Sequence, residues 1–310
     1  MILSILGIIA GVAIVVWGAD RLTEGASAIA SRMGVPEIVI GLTVVALGTS
    51  MPEFSVSILS ALKGASDIAI GNAMGSNIFN TLLIVGMAAL VAPMTITKTT
   101  VKKDIPFALI ASVLLMILCI DGRFSRIDAA VLIAMFLFYM YITLKDAKKE
   151  TTPNDDGNDC RQHMKIWQAS LWIIVGLACL VGGSNIFVSG AVFVAQSFNI
   201  SNAVIGLTIV AGGTSMPELA TSVVAAKKGN SGIAIGNVIG SNVFNILFIL
   251  GTTGLICPMS IGDITQIDMT MLVGSMIMLW LFSFTKLNIE RWEGAVLFAI
   301  FIAYMVYLLV

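Results

Sequence analysis

Charged side chains are scarce in this sequence. Only 11% of its 310 residues are Asp, Glu, Lys or Arg, whereas about a quarter are charged in a typical soluble domain. Hydrophobic residues make up 58% of the chain, and the mean hydropathy is +0.99. This composition excludes an ordinary soluble protein and indicates a polytopic membrane protein. The net charge of −1 gives no sign of a nucleic-acid partner.

Cysteine and histidine, the usual ligands of soft metals, are also few. The four cysteines form no Cys-x-x-Cys pair, and three of them lie in apolar runs, which argues against a disulfide framework or a zinc site. The one histidine, His163, lies in a polar segment and is interpreted as a solvated residue. We expect no cofactor and no obligate protein partner.

Long apolar runs, by contrast, fill most of the chain. A membrane-spanning helix needs about 20 largely apolar residues. The first run has no basic leader, so we interpret it as a retained span and not as a signal peptide. The sequence predicts an all-α polytopic membrane protein with ten transmembrane helices, near 2–19, 36–62, 68–92, 105–120, 127–144, 166–184, 203–226, 233–256, 267–284 and 291–310.

The one long polar segment predicts both the domain boundaries and the orientation. It divides a first five-helix repeat, 1–143, from a second, 166–310, and 144–165 is predicted to be a cytoplasmic linker loop. With the N-terminus outside, 14 of the 17 Lys and Arg residues lie in cytoplasmic loops and three lie outside. This bias predicts an N-out/C-out protein of the cell membrane, plasma or inner.

The two halves are copies of each other. At an offset of 165 residues, 41–80 aligns with 206–245 without a gap, and 26 of the 40 positions are identical. Because each half contains an odd number of spans, the second copy enters the membrane from the opposite side. Inverted repeats are a recurring plan of secondary transporters, which place the binding site at the midplane between the copies.

The sequence Gly-Thr-Ser-Met-Pro-Glu occurs once in each copy, inside an apolar run. Pro52 and Pro217 each remove a backbone donor, so we expect broken helices at mid-membrane. The carbonyls freed by these breaks are predicted around Ala46 and Ala211. Such irregular backbone is tolerated in a membrane only where it is buried in protein or lines a wet cavity.

The same sequence places one glutamate in each copy, Glu53 and Glu218, at the expected bilayer centre. A charge there costs about 3 kcal/mol on insertion scales, and such residues are usually functional. A structural alternative is a simple proline kink with hydrogen-bonded glutamates. It leaves the neighbouring hydroxyls unexplained: Thr49, Ser50, Thr214 and Ser215.

A second repeated pattern, Gly-Asn-x-x-Gly-Ser-Asn-x-Phe-Asn, spans 71–80 and 236–245. Its Gly-x-x-x-Gly spacing indicates close helix packing. The polar residues lie four apart, on one helix face, and are predicted to approach the broken helices. They are Ser76 and Asn80 in the first copy, and Ser241 and Asn245 in the second. All these donors are hard oxygens, which suit Ca²⁺ and Na⁺ better than zinc or copper.

These paired motifs resemble the alpha-repeats of the sodium/calcium exchanger family, within the cation/calcium exchanger superfamily, and the resemblance covers the whole chain. It implies Na⁺/Ca²⁺ antiport by alternating access, with Ca²⁺ and Na⁺ as transported substrates. It also implies that Glu53 and Glu218 are the central ligands. The hydroxyls of the two motifs, the carbonyls of Ala46 and Ala211, and the amides of Asn80 and Asn245 would complete the ion sites.

Other functions remain open at this point. Proton-coupled exchangers of Ca²⁺ typically have a differently spaced Gly-Asn-x-x-Glu motif, which this sequence lacks. Some relatives, including K⁺-dependent exchangers, have Asp at the position of Asn245, so its absence argues against K⁺ transport. An intramembrane hydrolase using Ser50 or Ser215 lacks an evident general base, and we expect no enzyme activity. A passive channel would conduct without coupling.

Overall fold

We describe the protein from a computed structural model, which describes residues 1–149, 164–198, 211–262 and 264–309. Within these residues almost all regular structure is helical. The helices are α1 (Ile2–Met33), α2 (Glu37–Thr49), α3 (Met51–Leu62), α4 (Ser66–Val91), α5 (Ile105–Leu118), α6 (Arg126–Lys149), α7 (Ile166–Ser197), α8 (Ala211–Thr214), α9 (Met216–Lys227), α10 (Ser231–Ile256), α11 (Gln266–Ser283) and α12 (Arg291–Leu309).

Seven of the described helices are long and apolar enough to cross a membrane, namely α1, α4, α6, α7, α10, α11 and α12. Helices α2 and α3 together form an eighth candidate span, bent by 46°. Helix α5 has 14 residues and continues a π-helical turn at Thr100–Asp104. The first part of the predicted span 203–226 lies outside the described residues, and its second part contains α8 and the 12-residue α9.

Several predicted boundaries are corrected by the structure. Helix α1 continues to Met33 and not to residue 19, because Arg21 forms ion pairs of 2.7 Å with both Asp20 and Glu24 and so keeps this polar turn helical. Helix α7 similarly extends past residue 184 to Ser197. The predicted linker 144–165 starts inside α6, and its residues 150–163 lie outside the described residues.

Glycines allow α1 and α7 to pack antiparallel at very short distance. A Cβ atom added at Gly11 would lie 2.8 Å from the carbonyl oxygen of Gly183, and one at Gly18 would lie 2.9 Å from that of Gly176. From Gly11 to Gly18 the residue numbers rise along α1, whereas from Gly183 to Gly176 they fall along α7, so the two helices are antiparallel. Small residues that allow two backbones to approach are the usual basis of helix packing in lipid.

Four two-residue strands, which the all-α prediction did not include, connect the two copies. They are β1 (Met94–Thr95), β2 (Arg123–Phe124), β3 (Met259–Ser260) and β4 (Asn288–Ile289). Strand β1 pairs antiparallel with β4, and β2 pairs antiparallel with β3. At the repeat offset of 165, β1 corresponds to β3 and β2 to β4, so each pairing joins one copy to the other.

Helices α4 and α10 form the centre of the molecule. Nearly all of α10 and most of α4 are buried, whereas α1, α6 and α12 expose much of their apolar surface. Exposed residues such as Leu3, Ile127 and Trp292 are those expected to face lipid. The second motif of each copy is thus carried by a central helix.

Two adjacent glycines on α7 provide a test of this packing. We expect Gly183→Ala to lower the melting temperature in detergent, because its Cβ would lie 2.9 Å from the carbonyl oxygen of Gly11, and overpacking costs about 1–3 kcal/mol. The matched control, Gly182→Ala, should not lower it, since no atom of the described residues lies within 4 Å of its Cβ position. Equal destabilisation by both changes would contradict this account of the α1–α7 contact.

Candidate ion-binding site

Each copy contains a helix break at the serine of its first motif. Ser50 separates α2 from α3 with φ −83° and ψ 7°, and Ser215 separates α8 from α9 with φ −90° and ψ 6°. These angles lie in the sparsely populated bridge region, which is common at turns and active sites. Pro52 and Pro217 follow in the first turn of the next helix, where a missing N–H breaks no helical hydrogen bond. The predicted breaks are therefore present.

The position of the freed carbonyl differs from the prediction. The carbonyl of Ala46 accepts the N–H of Ser50 at 3.1 Å, and the Thr49 hydroxyl lies 3.4 Å from it. The Ala46 carbonyl thus keeps its helical hydrogen bond, because the donor that Pro52 removes is the one that would reach back four residues, to Gly48. A carbonyl oxygen has a second lone pair, so the role of Ala46 as an ion ligand stays a prediction.

The second copy uses a neighbouring helix at the matching position. The carbonyl of Gly213, four residues before Pro217, accepts a hydrogen bond from the buried hydroxyl of Ser184 on α7. Ala211 begins the described segment and is helical. Thr214 ends the same short helix, directly before the break.

The two breaks meet through reciprocal hydrogen bonds between the copies. The hydroxyl of Ser50 donates to Oε1 of Glu218, and the hydroxyl of Ser215 donates to Oε1 of Glu53, each at 3.1 Å. All four residues are 1% exposed. The structure thus brings together the two glutamates and the four hydroxyls that the first motif predicted, because Thr214 also lies beside Glu53 and Thr49 beside Glu218.

Several buried oxygen atoms of the predicted site have no hydrogen-bond partner in the part of the chain that the structure describes. They are Oε2 of Glu53, Oε2 of Glu218, Oδ1 of Asn80, Oδ1 of Asn245 and Oγ of Ser241. A buried polar atom without a partner costs about 1–3 kcal/mol, and more when it is charged. A bound cation would supply the missing interaction to these acceptors.

Asn72 and Asn237 connect the broken helices to the central helices, a role that the sequence analysis missed. Asn72 donates to the carbonyl of Glu53 and to Ser57, at 3.1 and 3.0 Å. Asn237 donates in the same way to the carbonyl of Glu218 and to Ser222, at 3.3 and 3.0 Å. Identity at the repeat offset could have identified both residues, because they are polar in both copies.

The Asn237 side chain also accepts a hydrogen bond from the first motif. The Thr49 hydroxyl donates to Oδ1 of Asn237 at 3.0 Å. This contact directs the Thr49 oxygen towards α10 of the opposite copy. The predicted approach of the two motifs to each other is therefore made partly by a residue outside the predicted set.

The last residues of the second motif lie where α4 and α10 change their helical geometry. π-helical turns occupy Phe79–Ile84 and Phe244–Leu250, so each begins directly before the terminal asparagine of its motif. Such turns occur frequently at functional sites. Asn80 and Asn245 are both 1% exposed.

A cavity of about 340 Å³ borders the candidate site. Its lining includes Ser76 and Ser215 of the two motifs, and also Asp67 and Asp268. Asp67 accepts the N–H of Gly262 at 2.7 Å, and Asp268 accepts the hydroxyl of a tyrosine at 2.6 Å. Carboxylates along this cavity give it a field that attracts cations.

The fold indicates an integral, multi-pass membrane protein with a buried cluster of oxygen donors at its centre. These donors are carboxylate, amide and hydroxyl oxygens, and the candidate residues described above include no sulfur or imidazole ligand. This set suits a hard cation, and two carboxylates suit a divalent ion or two monovalent ions.

Comparisons with known proteins identify the family. The family model described as sodium/calcium exchanger protein matches residues 3–145 and 169–310. The chain is 37% identical to the putative antiporter CaxA of Alkalimonas amylolytica over 314 residues, and this alignment covers 98% of each chain. It is 33% identical to the sodium/calcium exchanger MaX1 of Methanosarcina acetivorans, over 96% of each.

A solved structure agrees with these relatives. The sodium-calcium exchanger NCX_Mj matches with a TM-score of 0.86 and 34% identity, over 99% of this chain and 98% of that one. The chain belongs to the sodium/calcium exchanger family, and its fold and sequence support exchange of Ca²⁺ against other cations.

Neutralising either glutamate should remove most of the affinity for Ca²⁺. We expect Glu53→Gln and Glu218→Gln each to weaken binding by roughly a hundredfold or more, because loss of one partner from a buried charge set costs about 3–5 kcal/mol. The amide keeps the size and one oxygen. Calorimetry with Ca²⁺ on the purified protein measures the change.

The matched control is Glu24→Gln, which removes an equal charge from the ion pair on α1. It should leave Ca²⁺ affinity unchanged. If folded Glu53→Gln and Glu218→Gln proteins bound Ca²⁺ like the wild type, the buried glutamates would be structural residues and not ligands.

Proposed function

We propose that the protein is a secondary-active antiporter that exchanges Na⁺ for Ca²⁺ by alternating access and extrudes Ca²⁺ across the cell membrane. The observation that carries this proposal is the pair of buried glutamates, each bonded to a serine of the opposite copy and each retaining an oxygen without a partner. The relatives named as sodium/calcium exchangers support the choice of ions.

The charge of this pair explains why the two ions would compete. With both carboxylates ionised, the site carries −2, which one Ca²⁺ or two Na⁺ neutralise. Coulomb interactions are strong where water is excluded, so leaving the charge uncompensated is costly. Release of Ca²⁺ from the site is therefore coupled to binding of Na⁺.

We assign transport and no catalysis to this chain, because Ser50 and Ser215 donate to carboxylates that the ions require.

For the membrane topology we propose ten spans in two inverted repeats, with both termini outside. The strand pairings support it, because the loop with β1 must lie on the same side as the loop with β4, and β2 on the same side as β3. The positions of Lys and Arg predict the same arrangement, with the β1 and β4 loops in the cytoplasm and the β2 and β3 loops outside. The antiparallel packing of α1 and α7, the first helices of the two copies, also fits.

We propose that the site is reached from the two sides of the membrane in turn. The cavity lined by Gly71, Gly75 and Ser215 would be the access path from outside. On the opposite copy, Gly236 and Gly240 are tightly packed, with added Cβ atoms reaching within 2.7 Å of the Ile38 carbonyl and 2.6 Å of the Ala46 side chain. Access from the cytoplasm would require this packed face to open.

Reconstituted vesicles test the transported ions. Vesicles loaded with Na⁺ should accumulate ⁴⁵Ca²⁺ from a Na⁺-free medium, because exit of Na⁺ drives entry of Ca²⁺. An outward proton gradient without Na⁺ should drive none. Equal uptake with protons would instead indicate a Ca²⁺/H⁺ exchanger, and uptake that requires K⁺ would indicate a K⁺-dependent one.

Labelling of introduced cysteines tests orientation and access together. In a background without native cysteines, Gly71→Cys should react with a membrane-impermeant thiol reagent only from outside. Gly236→Cys should react only from the cytoplasm, and only when the packed face opens. Reaction of either cysteine from both sides would contradict alternating access, and exchange of the two sides would contradict the proposed orientation.

A further inference from the structure

A group of four buried asparagines lies between the central helices, and only two of them were predicted as ligands. Asn77 and Asn80 lie on α4, and Asn242 and Asn245 occupy the same positions of α10. We propose that Asn77 and Asn242 are positioning residues, whose side-chain carbonyls hold the other two amides so that their oxygens face the transported cation. This rests on the proposed function, because it takes that cation to be the ligand of the amide oxygens.

The physical problem is that an asparagine amide has two nearly isosteric ends. Its oxygen accepts hydrogen bonds and can bind a cation, whereas its NH₂ group carries two donors and would repel one. Rotation about the last side-chain bond exchanges the two ends. An asparagine is therefore a dependable cation ligand only if a neighbouring acceptor holds its NH₂ group away from the ion.

The structure contains such an acceptor for each ligand. The NH₂ group of Asn80 donates to Oδ1 of Asn242, and that of Asn245 donates to Oδ1 of Asn77, each at 3.1 Å. The remaining oxygens, Oδ1 of Asn80 and of Asn245, are the buried ones without a partner in the described residues. The hydrogen bonds and the free oxygens thus lie at opposite ends of the same two amides.

The two positioning amides are themselves held in place. Asn242 donates to the Thr81 hydroxyl at 2.9 Å and approaches the sulfur of Met276 at 3.4 Å. Asn77 donates to the backbone carbonyl of Asn242 at 3.2 Å. Because their NH₂ groups are used in this way, their carbonyl oxygens are left pointing at the ligand asparagines.

Apart from the contact with Met276, each of these hydrogen bonds joins one copy to the other. Asn77 and Asn80 are one helical turn apart on α4, yet neither side chain bonds to the other, and both bond to residues of α10. The orientation of each ligand therefore depends on the opposite repeat. Identity of both asparagines at the repeat offset is the sequence signal of this arrangement.

The first test removes one acceptor. Asn242→Leu keeps a similar volume without an oxygen, so the NH₂ group of Asn80 is free to turn towards the ion. We expect the KM for Ca²⁺ in Na⁺-driven ⁴⁵Ca²⁺ uptake to rise on the order of tenfold, the effect expected for one hydrogen bond to a charged group. The control Thr253→Val changes another buried polar residue of α10 and should leave this KM unchanged.

The second test separates positioning from a merely structural role. Asn80→Asp replaces the ligand amide with a carboxylate, which has oxygens at both ends and no NH₂ group to hold away. In the Asn80→Asp background, adding Asn242→Leu should therefore raise the KM little or not at all. If Asn242 only stabilised the helix packing, its loss would cost the same factor in both backgrounds.

The other copy repeats the test, with Asn77→Leu measured alone and together with Asn245→Asp, should Asn242→Leu fail to fold. Absence of Na⁺-driven Ca²⁺ uptake by the wild type would contradict the proposed function itself. If the wild type exchanges these ions, an unchanged KM in the folded leucine variants, or an equal increase in the aspartate backgrounds, would overturn the positioning role alone.

Discussion

Compensation of two buried carboxylates is the constraint on which the rest of this structure depends. Glu53 and Glu218 lie inside an apolar helix bundle, where an isolated ionised group is costly. The Oε1 atom of each accepts a hydrogen bond from a serine hydroxyl of the opposite copy, and the Oε2 atom of each has no partner in the described residues. These contacts therefore fix the geometry of the site and leave attraction for a cation. A fully satisfied pair would bind ions weakly.

The surrounding structure provides that geometry with few irregular elements. Breaks at Ser50 and Ser215 bring the glutamates and hydroxyls into the same region. The central helices then hold the broken ones through amide side chains that bond to backbone carbonyls of the glutamates. Exposed apolar helices surround this polar centre and separate it from lipid. Polar and apolar parts are thus arranged in concentric layers, the reverse of a soluble protein.

The sequence predicted the parts of this arrangement that depend on residue type and repetition. Both glutamates, both breaks and the central position of the second motif follow from polar residues repeated inside apolar runs. The end of α1 did not follow, because ion pairs of Arg21 with Asp20 and Glu24 keep a charged turn helical. The two-residue strands were missed because their pairing depends on contacts between distant loops.

Other differences reflect interactions that no local pattern contains. The carbonyl of Ala46 was expected to be free, but it keeps its helical hydrogen bond from the N–H of Ser50, the residue at which the helix breaks. Asn72, Asn77, Asn237 and Asn242 belong to the second motif but received no predicted role from the sequence. Their donors and acceptors reach the opposite copy or a neighbouring helix, so only the three-dimensional structure shows which atoms they orient.

The exchange of strand partners has a consequence for how such a chain could arise. Strand β1 pairs with β4 and β2 with β3, so each of these strands pairs with a strand of the other half. If the proposed inverted topology holds, a five-helix ancestor would have satisfied these strand edges only by pairing with a second copy of opposite orientation. It would therefore have had to insert in both membrane orientations, with similar numbers of Lys and Arg in its loops on the two sides. Fusion of two genes would then have allowed each half to acquire the Lys and Arg residues that fix its orientation in the membrane, while the strand pairing between the halves was retained.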